Sequence, residues 1–346
     1  MKKFGKTSEP LLKFKRDFIE ENDRHVQEMR RISEIYLRQP RRTECKNCDG
    51  PLSQVAFKKL EVDYFLCGRC GHLNGGHEDT DEFCRAVYLE EGGKAYAKNY
   101  DSENSKNYWD RVREIYRPKA EFLIDSLAEE GCDPRDLRFV DCGAGSGYFV
   151  ASLMDLGMEK VAGYEVSEYQ VKLANDMLGR ELIFPLGMDP DTNFSKTVRG
   201  DVVSMIGTLE HLQTPRKFLS GLIQNPEVKY FFLAVPLYSP CIFFEWVFST
   251  VFNRQLSGAH THLYSPKSLD WMCREFNLEK VSEWWFGTDM FDLYRSILVC
   301  LKQGLVSDNF VDEWSRFFLP LVDSLQYEID KKNFSSEVHL LLKIRR

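Results

Sequence analysis

Leu137 to Gly147 reads LRFVDCGAGSG, an apolar run that ends in an acid and passes into glycines at 143, 145 and 147. A strand closing at Asp141, followed by alternate positions without side chains, lets the backbone turn tightly and approach a ligand, and Tyr148 to Leu156 can then start a helix. Twenty-four residues beyond Asp141, Glu165 closes a second apolar run, Lys160-Val161-Ala162-Gly163-Tyr164. An acid in that place can accept both hydroxyls of a ribose. Strand, loop, helix, strand and acid in this order make a nucleotide-binding turn. The spacing is G-x-G-x-G, whereas a dinucleotide pyrophosphate is cradled by G-x-G-x-x-G, so the ligand favoured here has no phosphate beside the loop.

Strands and helices alternate outward from the turn. A helix begins at Ser167, whose hydroxyl and Gln170 form a capping box. Leu182 to Leu186, Val202 to Ile206 and Tyr230 to Val235 read as short strands buried on both faces, and Pro236 ends the last. Lys280 to Phe286 and Glu337 to Ile344 read as closing strands, with helices over Asp289 to Leu301 and Asp312 to Ile329 between them. The expected fold class is α/β, a Rossmann-like parallel sheet flanked by helices. Four regions are expected: a charged helical segment over 1–42, a small cysteine-bearing module over 43–80, a helical bridge over 81–130, and the α/β domain over 131–346 with an insertion at 237–262.

The chain has 346 residues, 43% of them hydrophobic and 13% aromatic, enough for one large core and a smaller attached module. A net charge of -7 argues against an extended nucleic-acid footprint, although Lys2, Lys3, Lys6, Lys13, Lys15 and Arg16 make the first segment locally basic. No run reaches the roughly 18 to 20 apolar residues that span a bilayer, and no apolar signal core follows the N-terminal charges. The expected location is the cytoplasm.

Ten cysteines would suit a disulfide framework, but four fall as Cys45-x2-Cys48 and Cys67-x2-Cys70, separated by residues 49–66. Two such knuckles, CKNC and CGRC, are the pattern of a tetrahedral zinc-ribbon-like site, with Gly68 and Gly71 easing the turns. The ion is expected to be structural, supplying a core the module is too small to build. His72 and His77 are spare ligand candidates. Cys84, Cys132, Cys142, Cys241, Cys273 and Cys300 read as small buried hydrophobes in a reducing compartment.

Three stretches, VDCGAGSG, GYEVSEYQVKLA and DVVSMIGTLEHLQTPRKFL, resemble class I S-adenosylmethionine-dependent methyltransferases over roughly residues 90 to 345. The resemblance implies S-adenosylmethionine as cofactor. Its methionine part would lie against Asp141, Gly143, Ala144, Gly145 and Gly147, its ribose against Glu165, and Gly207, Thr208 and Leu209 would line the pocket. In similar enzymes a tyrosine-bearing segment like AYAKNY lies near the sulfonium, which makes Tyr96 and Tyr100 cofactor candidates.

Methyl transfer needs an aligned acceptor and, for oxygen or an acidic carbon, a group that removes its proton. His211 follows the fourth strand of the fold, at the carboxyl edge where open α/β sheets bind substrates. His260 and His262 alternate in Gly258 to Ser265, on one side if that loop is extended. The zinc module ahead of the fold and this loop are similar to deoxysugar C-methyltransferases, where the loop reads His-Glu-His and supplies the base; here Thr261 stands in place of the acid. That resemblance implies His260 and His262 as base or substrate-positioning groups, catalytic candidates beside His211, and a small carbohydrate acceptor: a sugar, nucleotide-sugar or polysaccharide unit, methylated on oxygen or carbon. In some quinone-pathway O-methyltransferases a similar Glu-His pair helps hold a divalent metal with an acid upstream; Gly207 and Thr208 stand here, a departure from that pattern that counts against a catalytic metal.

Between Pro236 and Arg254, Phe243, Phe244, Trp246, Val247, Phe248, Val251 and Phe252 are too many for one helix face in water. They are expected to be covered, as a lid, a packing helix or a homodimer contact. Two other functional readings stand beside the first: an RNA or protein methyltransferase whose zinc module reads the substrate, and a nicotinamide-dependent oxidoreductase using the glycine loop.

Overall fold

The computed structural model describes residues 1–89, 105–187 and 192–346; Tyr96 and Tyr100 lie outside the described residues. Twelve strands are described: β1 Lys2–Phe4, β2 Val55–Lys59, β3 Val62–Leu66, β4 Leu73–Gly75, β5 Phe139–Cys142, β6 Val161–Glu165, β7 Ile183–Pro185, β8 Val202–Ile206, β9 Tyr230–Pro236, β10 His262–Leu263, β11 Leu278–Phe286 and β12 Glu337–Ile344. Eight of them form the main sheet in the order β1-β11-β12-β9-β8-β5-β6-β7.

The five strands from β7 to β9 are parallel, as buried apolar runs joined by helices must be. β12 enters antiparallel to both β9 and β11. The chain leaves β5 toward β6 on one side and returns to β8 on the other, so strand order reverses at β5. That reversal opens a crevice at the carboxyl end of β5, where open α/β sheets take their ligands. Helices cover both faces. Val140, Val203, Phe231, Leu340 and Met272 share one core layer, and Phe139, Phe149, Phe232, Leu341 and Phe122 the other. The mixed α/β Rossmann-like sheet expected from the alternating pattern is the observed architecture.

Three elements depart from the sequence expectation. Lys2–Phe4 is a strand, not helix, running parallel to β11 with Lys3 opposite Trp284. The edge of β11 had free backbone groups, and three residues of the charged segment satisfy them. The helical pattern over Asp312 to Ile329 is cut at Pro320 into helices Asp308–Phe318 and Val322–Asp330, because proline cannot donate to the preceding turn. The second sheet, β10-β4-β3-β2, is antiparallel and takes its fourth strand from outside the cysteine module. β10 is His262–Leu263, paired with Asn74 and Leu73 of β4.

The helix Asn22–Leu37 buries Val26, Met29, Ile32 and Tyr36, spaced three to four residues apart on one stripe. Ile32 and Tyr36 of that stripe, Leu73 and Tyr64 of the small sheet, Phe83 and Val87 of the next helix, Ile242 and Leu256 of the insertion and Leu263 just after it form one apolar cluster. The cysteine module and the insertion therefore share a core. Among the described residues no helix is long and apolar enough to cross a membrane.

Candidate active site

β5 carries Asp141 into the crevice, buried, with Oδ1 accepting from Ser204 Oγ of β8 at 2.6 Å. Burial pushes its carboxyl up to about 7, against the Ser204 hydrogen bond, with the Glu165 charge adding to the rise. The backbone then folds back: the N–H groups of Gly143 and Ala144 both donate to Tyr164 O, at 2.8 and 2.9 Å, tying the loop to β6. Gly143 sits at φ +78°, and a Cβ there would stand 2.4 Å from Thr208 Cγ2. No side chain fits that position. Gly145 N donates to Glu165 Oε2 at 2.8 Å, and Ser167 N donates to Glu165 Oε1 at 3.0 Å. Each carboxylate oxygen thus spends one lone pair on the backbone and keeps another for a ligand hydroxyl. Gly147 starts the helix Tyr148–Asp155.

The loop, Glu165 and Thr208 meet in one crevice, and the set fits a cofactor with a ribose diol and no phosphate. Gly207, at φ +67°, bends the chain out of β8, its N–H donating to Ala234 O at 2.9 Å. Leu209 points the other way and is fully buried in the sheet core.

Beyond Leu209 the turn delivers Glu210 and His211. Glu210 is 2% exposed, and its Oε1 lies 4.0 Å from His211 Nε2. His211 Nδ1 is 2.8 Å from the Tyr88 hydroxyl, and its ring centroid is 5.1 Å from that of His260. His260 Nδ1 lies 2.9 Å from Gln255 O. His262 goes elsewhere: its Nδ1 is 2.8 Å from His72 Nε2, and His72 Nδ1 is 3.3 Å from Ser268 Oγ. Only His262 of the two loop histidines lies in a strand, and the pair faces different partners. Burial holds every one of these imidazoles neutral, His260 down at about 4 and His72 at about 3, with His211 and His262 also well below the ordinary histidine value. Burial drives Glu210 the other way, up to about 8.

The histidine loop is held by a carboxylate. Glu245, buried in the helix Pro240–Val247, accepts from Gln255 N at 2.6 Å and Leu256 N at 2.9 Å. That contact fixes the segment leading into His260. Within one chain the same helix covers only part of the aromatic run: Cys241 and Ile242 are buried, but Phe243, Trp246 and Val247 are 60%, 57% and 63% exposed.

The four cysteines cluster. Cys45 Sγ and Cys70 Sγ are 3.6 Å apart, and Cys48 Sγ and Cys67 Sγ are 3.5 Å apart. Disulfides need about 2.05 Å, whereas thiolates about 2.3 Å from one tetrahedral ion stand close to 3.7 Å apart. The set therefore fits a zinc ion, and all ten cysteines of the chain are free. Asn74 Nδ2 donates to Cys45 Sγ at 3.5 Å, supporting a charged sulfur. The spare histidines are used otherwise, His77 against Gln39 O at 2.8 Å and His72 against His262. The module is not remote from the histidine edge, since β4 and His72 touch β10 directly.

Sequence reasoning named the cysteines, the loop, Glu165 and the three histidines. It missed Tyr88, Gln255, Ser268 and the partnership of His72. Only His72, next to a knuckle, carried any signal; the others sit in unremarkable helical or loop sequence.

A family model described as a methyltransferase domain matches residues 108–283. No curated protein sequence matches the chain. Among solved structures, the chain is similar to the magnesium protoporphyrin IX methyltransferase of Synechocystis PCC 6803 with bound SAH, at 13% identity and a TM-score of 0.46, covering 77% of this chain and 100% of that one. It is also similar to the plantazolicin methyltransferase BpumL in complex with SAH, at 13% identity and a TM-score of 0.45, covering 76% and 94%. The geranyl diphosphate C-methyltransferase of Streptomyces coelicolor A3(2) follows at 14% identity and a TM-score of 0.40, covering 71% and 86%. With more than half of its 346 residues matched by the family model, the chain belongs to the methyltransferase domain family.

Proposed function

We propose that the protein transfers a methyl group from S-adenosylmethionine to a small carbohydrate acceptor, a sugar, nucleotide-sugar or polysaccharide unit, with a structural Zn2+ on Cys45, Cys48, Cys67 and Cys70. The observation that carries this reading is the crevice at the end of β5, where Glu165 holds the glycine loop and Thr208 packs on Gly143, three residues before His211. Glu165 would bind the ribose, and the loop from Asp141 to Gly147 the methionine part. The acceptor would enter along the edge of His211, His260 and His262. In the transfer the acceptor gives its proton to a neutral imidazole of that edge, its lone pair forms the bond to the methyl carbon, and the carbon–sulfur pair returns to sulfur, leaving S-adenosylhomocysteine. A sugar acceptor is supported by the similarity of the zinc module and histidine loop to deoxysugar C-methyltransferases, and these two parts pair strand to strand. The ten free cysteines suit the cytoplasm.

Titration calorimetry with S-adenosylmethionine, S-adenosylhomocysteine and nicotinamide dinucleotides tests the reading. Binding of the two sulfur compounds alone is expected, followed by turnover in a screen of nucleotide-sugars. Binding of a dinucleotide alone would overturn it, and turnover only with RNA or protein would replace the acceptor class.

A further inference from the structure

Glu210, His211 and His260 converge from two distant segments on one point of the carboxyl edge, where a carboxylate oxygen and one nitrogen of each ring lie within 4.8 Å of one another. We propose that these three side chains bind a divalent first-row transition cation with positions left open toward the acceptor. What the ion does rests on the methyl-transfer reading above; that it binds does not.

Glu210 is 2% exposed, and its Oε2 has no hydrogen-bond partner among the described residues. A buried carboxylate oxygen without a partner is costly, and a cation removes that cost. His260 Nδ1 faces a carbonyl, Gln255 O, which only accepts, so Nδ1 carries the proton and Nε2 keeps its lone pair. His211 is gripped through Nδ1 by the Tyr88 hydroxyl, leaving Nε2 on the side of Glu210. Histidines that bind metals are held in this manner, through the ring nitrogen away from the ion. Ligands about 2.1 Å from a shared ion stand about 3 to 3.5 Å apart, and side-chain torsions close the remaining gap.

Two imidazoles and one carboxylate on one side suit Mn2+, Fe2+ or Zn2+ and leave further positions for water or substrate oxygen. The four thiolates of the cysteine site are a softer set and do not compete for Mn2+. The cluster follows directly on the turn that touches the glycine loop, where Thr208 Oγ1 donates to Gly143 O at 3.4 Å. An acceptor hydroxyl on the ion gives its proton to water more readily. Its oxygen then bonds to the methyl carbon as the carbon–sulfur bond breaks toward sulfur. His211 and His260 serve here as ligands and not as proton acceptors.

The test uses the full chain with its cysteine site saturated by Zn2+. Mn2+ is titrated in, and the loss of the free ion's paramagnetic resonance signal is read. Stoichiometric, saturable uptake is expected. Glu210→Gln and, separately, His260→Asn should each weaken it about 100-fold or more, and Tyr88→Phe about 10-fold. Circular dichroism of each variant should match the parent. A folded parent chain that takes up no Mn2+, or uptake unchanged in both ligand variants, overturns the site. Uptake of Mn2+ without any binding of S-adenosylmethionine keeps the site and removes the methyl-transfer reading; the reverse pattern removes the site alone.

Discussion

The glycine loop and the histidine edge border the same crevice, yet the chain builds them by different means. The bonds that shape the loop fall between Asp141 and Thr208, on adjacent strands of one parallel unit, joined from outside by Tyr108 Oη donating to Ser146 O at 3.0 Å. The histidine edge takes Tyr88 from the end of the helix Asp81–Tyr88, Glu210 and His211 from the end of β8, Gln255 and His260 from an insertion, and His72 from beside a cysteine knuckle. A ligand common to a whole family can be met by a local motif. A ligand peculiar to one member is met by remote segments, whose spacing is free to vary.

The comparison is broken most directly at the loop. Gly143→Val should abolish S-adenosylmethionine binding in calorimetry, because its Cβ would overlap Thr208 and its backbone sits in the left-handed region. Retained affinity would mean that the loop is not the cofactor site. The remote half answers next. Cys45→Ser should release zinc, lower the melting temperature and also reduce turnover of the folded fraction, because β4 carries β10 and His262. Normal turnover in that variant would separate the module from the chemistry after all. His262→Gln should leave cofactor affinity intact and lower kcat by about 100-fold; unchanged kcat would make His262 a packing residue paired with His72.

A finer cut concerns Asp141. Its folded-state carboxyl is raised from 3.8 to about 7, so the folded chain holds a proton that the unfolded chain has lost across that range. Stability from this group is full below about pH 4 and falls as pH rises toward 7, by on the order of 4 kcal/mol. Asp141→Asn should raise the melting temperature of the cofactor-free protein at pH 8 and leave it unchanged near pH 4, while weakening cofactor binding. Equal melting shifts at both pH values would show that the carboxyl titrates as if in water. The smallest effect is expected at the exposed helix face, where Trp246→Ser should change stability by no more than about 0.5 kcal/mol. Sedimentation of the same variant decides whether that face joins two copies: a parent dimer that becomes a monomer would establish it.

The legibility of the two halves follows from the same contrast. Strands β5, β6, β8 and β9 are continuous apolar runs, and their order fixes the parallel sheet and its crevice. The cysteine spacing gave the thiolate cluster for an equally local reason, two tight turns facing each other. β1 had no readable signal, since Lys-Lys-Phe has no strand pattern and is recruited by the open edge of β11. β10 is two residues long, and its partner lies far upstream. Alternation of His260 and His262 suggested one shared side, but strand geometry reaches only His262, and Glu245 directs the preceding segment separately. Glu210 was visible as half of a Glu-His pair; its convergence with His260 depends on the insertion's path, which no periodicity records.

The pairing of His262 with Asn74 also sets an order of events during synthesis. β4 leaves the ribosome 188 residues before its partner strand. At usual elongation rates of roughly 5 to 20 residues per second, its edge waits about 10 to 40 s for β10. An unpaired strand edge is a template for any other strand nearby. An active edge assembled from remote segments therefore lengthens the chain's exposure while it is being made, even where the finished protein is stable.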